Sequence, residues 1–205
     1  MIEQKHEALG MFAYTCGRTG RFDESRHTFE ELIASATRVY GPEHETTTKA
    51  FMNRAEISQY IMGTAHELMA QGDRANGARY LDAVLTDSKN RDFFDKNDPC
   101  LQINCEVMAV AAVLLRVTDR LQECVTVARL CRKSAKERND LAEELIQQCM
   151  RNFVIASCDL HGPTHENKEV LDELLALQMD LYGPDAPETQ ETKSICTAYV
   201  GHLLG

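Results

Sequence analysis

Apolar residues recur along the chain at three- and four-residue steps, interrupted by short polar turns, a pattern that predicts amphipathic helices laid in pairs. Ala8, Leu9, Phe12, Ala13 and Cys16 mark the first helix, from Ile2 to about Gly17. Gly17-Arg18-Thr19-Gly20 reads as a turn, and a second helix runs from Phe22 to Tyr40. Gly41-Pro42 stops it, because proline cannot continue the hydrogen-bond ladder and glycine favours the backbone just past a helix end. The next helix starts near Thr46 and is unusually long. Ala55 and Ala65 both suit its small packing position, so either the helix is extended or it breaks around residues 60–64. The extended helix is preferred, since Gly63 alone costs only ~1 kcal/mol. Gln71-Gly72-Asp73-Arg74 turns the chain into a helix from Ala75 to Asn90.

Asp98-Pro99 pairs an N-cap residue with a proline at the first helical position, opening a strongly apolar helix to about Val117. Asp119 with Gln122, and Asp140 with Glu143, fit capping boxes for the two helices that follow. The second of these ends near His161-Gly162-Pro163, with Gly162 at the turn position expected from Gly20. Another helix covers Thr164 to Tyr182. A last one begins at Pro187 and carries Ile195, Ala198, Tyr199, Leu203 and Leu204. The units are expected at about 1–41, 46–91, 98–138 and 140–183, with a terminal helix at 187–204, all in a single domain spanning 1–205. The apolar ending suggests either a half-repeat acting as a cap or an excerpt of a longer array.

One segment recurs. Tyr40-Gly41-Pro42-Glu43-His44 returns as Tyr182-Gly183-Pro184-Asp185-Ala186, 142 positions on. At that offset Phe29, Leu32 and Ile33 fall on Leu171, Leu174 and Leu175. Self-similarity of this kind marks a repeat array, so the expected fold is all-α, an α-solenoid of about four helix-turn-helix repeats plus a terminal helix. Function is then expected on a shared surface.

Composition narrows the partner. A net charge of −10 argues against nucleic acid, whose binding rests on clustered Lys and Arg. No apolar run approaches the ~18 residues of a membrane span. The N-terminus lacks the layout of a signal peptide, which points to the cytoplasm and to free thiols for the eight Cys. Cys16, Cys105, Cys124, Cys131 and Cys149 sit at apolar helix positions, where Cys behaves as a small hydrophobe.

The local sequences also carry a family resemblance. Gly20-Arg21-Phe22-Asp23-Glu24-Ser25 resembles the opening of the second helix in tetratricopeptide repeats. The Tyr-Gly-Pro segments, with Phe51-Met52-Asn53-Arg54-Ala55 and Leu68-Met69-Ala70-Gln71-Gly72, look like the kinesin-light-chain type of repeat. The resemblance implies a right-handed superhelix whose first helices line a concave groove for a peptide or partner helix. Asn53 and Arg54, then Arg151 and Asn152, are by position candidate groove residues, with a plain solvated helix face as the alternative. An Asn amide suits such a groove because it both donates to and accepts from a peptide backbone.

Catalytic motifs are not found. His161-Gly162-Pro163-Thr164-His165 places two His four apart across a Gly-Pro break, without the compact ligand set of a zinc site. There is no phosphate loop, nucleophile elbow or His-Glu-x-x-His motif. No cofactor and no enzymatic activity are expected. Arg129, Arg132, Lys133, Lys136 and Arg138 form a basic strip that either receives an acidic partner segment or supplies favourable charge near a helix C-terminus. The expected function is a non-catalytic scaffold binding a protein or peptide partner. The alternatives are a structural subunit of a large assembly and a helical regulatory region of a larger multidomain protein.

Overall fold

The computed structural model describes the backbone of residues 2–90, 93, 98–137 and 142–204, and the side chains of all these except 90, 135–137 and 200–204. Among the described residues there are nine helices and no strand. They are α1 (Ile2–Arg18), α2 (Phe22–Tyr40), α3 (Glu45–Ala70), α4 (Arg74–Asn90), α5 (Leu101–Val117), α6 (Leu121–Glu137), α7 (Glu143–His161), α8 (His165–Tyr182) and α9 (Pro187–Leu204). The contacts gather into two compact units, Met1–Ala111 and Ala112–Gly205.

Three hairpins share one turn. After α1, α3 and α5 a residue takes positive φ: Gly20 at 79°, Gly72 at 87° and Asp119 at 60°. The following amide then reaches back five residues, from Arg21 to the Cys16 carbonyl (2.9 Å), Asp73 to Leu68 (2.9 Å) and Arg120 to Leu115 (2.8 Å). This is the bond pattern that satisfies the orphan carbonyls of a helix end. Asp119 thus serves as the left-handed turn residue rather than the expected N-cap. Among side-chain-bearing residues Asp and Asn tolerate that region best. The other expected capping residue, Asp140, lies outside the described residues, and the residue at the N-cap of α7 is Ala142, which supplies no side-chain cap.

Inside each hairpin a small residue meets a small residue. Ala13, Ala65 and Ala112 are fully buried on the first helices. Facing them on the second helices are Ser25, Gly77 and Cys124. The Ser25 hydroxyl donates to the Ala13 carbonyl at 2.8 Å, and the Cys124 thiol donates to the Ala112 carbonyl at 2.9 Å. At Gly77 an added Cβ would lie 2.5 Å from Met69 Cγ and 3.1 Å from the Ala65 carbonyl oxygen, so that helix pair requires glycine there. Small residues let backbones approach, and the larger Leu, Ile, Met and Phe side chains then fill the flanks.

The other class of connection is the Gly-Pro linker. Gly41 (φ 93°, ψ 164°), Gly162 (φ 72°, ψ −171°) and Gly183 (φ 86°, ψ 168°) each donate their amide four residues back, to Thr37, Cys158 and Met179. Gly162 therefore belongs with the linkers and not with Gly20. Its amide bonds four residues back, whereas the Gly20 amide donates to the Gly17 carbonyl three residues back. The long third helix is unbroken: α3 runs 26 residues straight through Gly63.

Candidate functional site

Within the first unit, α1 packs against both α2 and α3. A cavity of about 500 Å3 opens between α1 and α3. Its floor is Gly10, Leu32 and Ala50, and Asn53 closes one side. Gly10 is the informative residue. In a helix interior glycine costs roughly 0.5–1 kcal/mol relative to alanine. Packing explains that cost at Gly17, where an added Cβ would sit 2.3 Å from Ile57 Cγ1. It does not explain it at Gly10, where a Cβ would meet only Leu32 Cδ2 at 3.5 Å and Asn53 Nδ2 at 3.8 Å, both ordinary contacts. The bare position keeps the groove floor open beside the Asn53 amide. That amide is half-buried and makes no hydrogen bond among the described residues.

The end of the groove is set by the first Tyr-Gly-Pro linker. The Tyr40 ring stacks on His44 with centroids 4.7 Å apart and meets His6 edge-on at 5.5 Å. His44 Nδ1 accepts from the Thr46 amide at 3.2 Å, capping α3. His6 is buried, only 3% exposed, and its Nε2 lies 2.9 Å from Ser35 Oγ. Its Nδ1 has no hydrogen-bond partner among the described residues. Around the mouth stand Glu3, Glu7, Glu45 and Lys49, all exposed and without an ion pair among the described residues.

Arg54 does not share this surface. Successive helical residues point about 100° apart, so Asn53 and Arg54 cannot both face one groove. The Arg54 side chain is buried, its guanidinium 3.7 Å from the Asp98 carboxylate and 5.1 Å above the Phe51 ring. Asp98 also accepts from the Cys100 amide (2.7 Å) and from Asn104 Nδ2 (3.2 Å). Arg54 therefore fastens α3 to the start of α5.

In the second unit the candidate residues are likewise engaged by other groups of the chain. With its amide turned to satisfy its neighbours, the fully buried Gln178 accepts from Arg151 at 2.8 Å. The same amide donates to the Glu188 carbonyl at 3.2 Å and to Thr192 Oγ1 at 2.7 Å. Asn152 is half-buried and already engaged. The basic strip is largely answered by α8. Arg129 pairs with Glu166 (3.0 Å), Arg132 pairs with Glu173 (2.8 Å), and both guanidinium groups lie over the Phe153 ring. These cations join α6 to α8, a role that neither reading of the strip anticipated. Lys133 remains exposed; the side chain of Lys136 and all of Arg138 lie outside the described residues.

All eight cysteines are free thiols, six of them buried. Burial pushes the Cys124 thiol up to about 11, against a smaller opposing effect of Arg116. No group of three or more His, Cys, Asp or Glu among the described residues is placed to hold a metal. No described helix is long and apolar enough to cross a membrane.

The helix pairs and their two connection types define a class, the tetratricopeptide-like repeat solenoid. Among solved structures, this chain is similar to a kinesin-light-chain-like protein of Podosopora anserina with nearly identical tetratricopeptide-like repeats. Alignment covers 98% of this chain and 89% of that one, at 13% identity and a TM-score of 0.52. A second structure of that protein gives 13% identity and a TM-score of 0.51 over the same spans. At this identity the likeness establishes the fold. No family model matches the sequence, and no curated protein matches it.

Proposed function

We propose that the chain is a non-catalytic protein-interaction module that captures a peptide or helix of a partner protein in the groove between α1 and α3. The observation that carries this reading is the cavity of about 500 Å3 floored by Gly10 and flanked by the unpartnered Asn53 amide. An extended peptide exposes a backbone donor and acceptor at each residue, and one Asn side chain can meet both. A groove already open in the free protein spares the cost of making one on binding. The Tyr40–His44 stack and the His6–Ser35 bond hold its end in place.

The test is a random octapeptide library displayed on phage and panned against the full chain. Peptides recovered in this way are expected to lose roughly tenfold in affinity on Asn53→Ala, the equivalent of about 1.4 kcal/mol. They are expected to be excluded by Gly10→Leu, which fills the floor, and to be unaffected by Lys133→Ala on α6. Recovery of peptides that ignore both groove substitutions would refute the groove.

A further inference from the structure

The unpaired charge around this groove specifies its occupant further. Elsewhere in the first unit several carboxylates find partners: Glu24 pairs with Arg21, Glu30 and Asp23 pair with Arg26, and Asp98 pairs with Arg54. Glu3, Glu7 and Glu45, by contrast, stand together at the cavity with Lys49 as the one opposing cation lining it among the described residues, and none of the four is ion-paired there. Carboxylates gathered on low-dielectric walls focus a negative field into the opening. A buried polar group also lines the same cavity. The His6 ring is 97% buried, lines the cavity, and its Nδ1 lacks a partner among the described residues.

We infer that the groove selects a basic peptide: an extended segment whose backbone runs over Gly10 against Asn53, and whose Lys or Arg side chains reach Glu3, Glu7 and Glu45. This rests on the groove reading and adds the sign of the partner. Gly10, buried at the cavity wall, adds no side chain there and so leaves room for the segment beside Asn53. Met11, 69% exposed on the same wall, offers a flexible apolar surface to the stems of long cationic side chains. An acidic segment would meet like charge at three points and is excluded.

The experiment uses the full chain and three blocked octapeptides, alternating Lys-Gly, Ser-Gly and Glu-Gly, titrated by calorimetry at low and at physiological salt. The Lys-Gly peptide is expected to bind at least tenfold more tightly than Ser-Gly, with no binding of Glu-Gly. The triple variant Glu3→Gln, Glu7→Gln, Glu45→Gln should lose that advantage by about tenfold, the sum expected of three exposed ion pairs. A control triple with the same charge change, Glu67→Gln, Asp180→Asn, Asp185→Asn, should keep it. Circular dichroism melts of both triples establish that they fold alike. If the control triple weakens binding as much as the groove triple, the effect is net charge and the inference fails. Should Lys-Gly bind no better than Ser-Gly while panned peptides still depend on Asn53, the basic preference is wrong and the groove stands. Should Lys-Gly bind equally well to Gly10→Leu, the groove itself is wrong.

Discussion

The two Tyr-Gly-Pro segments have the same backbone and different surroundings. Gly41 and Gly183 adopt nearly the same angles, each donating its amide four residues back. The threonines that follow, Thr47 and Thr189, are both fully buried. Each folds its hydroxyl back on the preceding segment, Thr47 to the Gly41 carbonyl at 2.8 Å and Thr189 to the Gln178 carbonyl at 3.4 Å. Beyond that they diverge. In the first copy the residue one helical turn before the tyrosine is Ala36, and Tyr40 lies flat against His44. In the second it is Gln178, whose amide is buried among Arg151 and Thr192, while the Tyr182 hydroxyl and the Gln147 amide are hydrogen-bonded at 3.0 Å. The linker is thus a backbone solution that both units share. What each unit does with the space beside it depends on one or two side-chain volumes and on whether their polar atoms are satisfied.

Exchanging the distinguishing residues breaks the comparison most severely. Ala36→Gln places an amide at a position with no exposure. Overpacking and an unsatisfied polar group together should cost about 3 kcal/mol or more, read as a lower urea midpoint with unchanged slope. The reverse change, Gln178→Ala, removes an amide that three groups use and leaves Arg151 without that acceptor. A loss of about 2 kcal/mol is expected; a neutral result would mean that the polar cluster does not hold α7, α8 and α9 together.

A smaller contrast separates two hairpins that place Ser25 and Cys124 at the same step. With its thiol pushed up to about 11, Cys124 should resist alkylation at pH 7.5 in the native protein and react fully in urea. Its folded value lies above the ordinary 9.0, so its contribution to stability is present in full below pH 9 and fades as pH rises through about 11. Urea midpoints of the wild type and Cys124→Ser at pH 8 and pH 10.5 would show it, the wild type losing more between them.

The least change is expected at the glycines that packing does not require. A methyl group added at Gly63 would have nothing within 4 Å, and one added at Gly10 would make only ordinary contacts. Gly63→Ala and Gly10→Ala should each raise stability by about 0.5–1 kcal/mol. Gly17→Ala, meeting Ile57 Cγ1, should lower it. Thermal melts of the three variants separate Gly17, which packing requires, from Gly63 and Gly10, which it does not.

Much of the fold was legible because helix periodicity and glycine punctuation are local. The long α3 was readable since a single glycine cannot outweigh the apolar face on both sides of it. The role of Gly162 was equally local: Gly162-Pro163 is the same pair as Gly41-Pro42 and Gly183-Pro184 and takes the same linker conformation, so matching it to Gly20 overlooked the proline. The site was less legible still. Asn53, named by position, lines the cavity between α1 and α3, whereas its neighbour Arg54 turns inward to Asp98, 44 residues away in sequence. Gly10 carried an unused signal, a helix-interior glycine with no turn nearby.

The sequence by itself determined which segments become helices, where they stop, and that the Tyr-Gly-Pro connection is used twice, since propensity and capping act within a few residues. Only the tertiary structure decided which polar groups are already partnered. Arg54, Arg129, Arg132 and Arg151 look in sequence like cations offered to a ligand, and the fold pairs each with a group from a distant helix or helix start. Asn53, Glu3, Glu7 and Glu45 have no such partner among the described residues, because charge is satisfied through space and proximity in space is what the chain order does not contain.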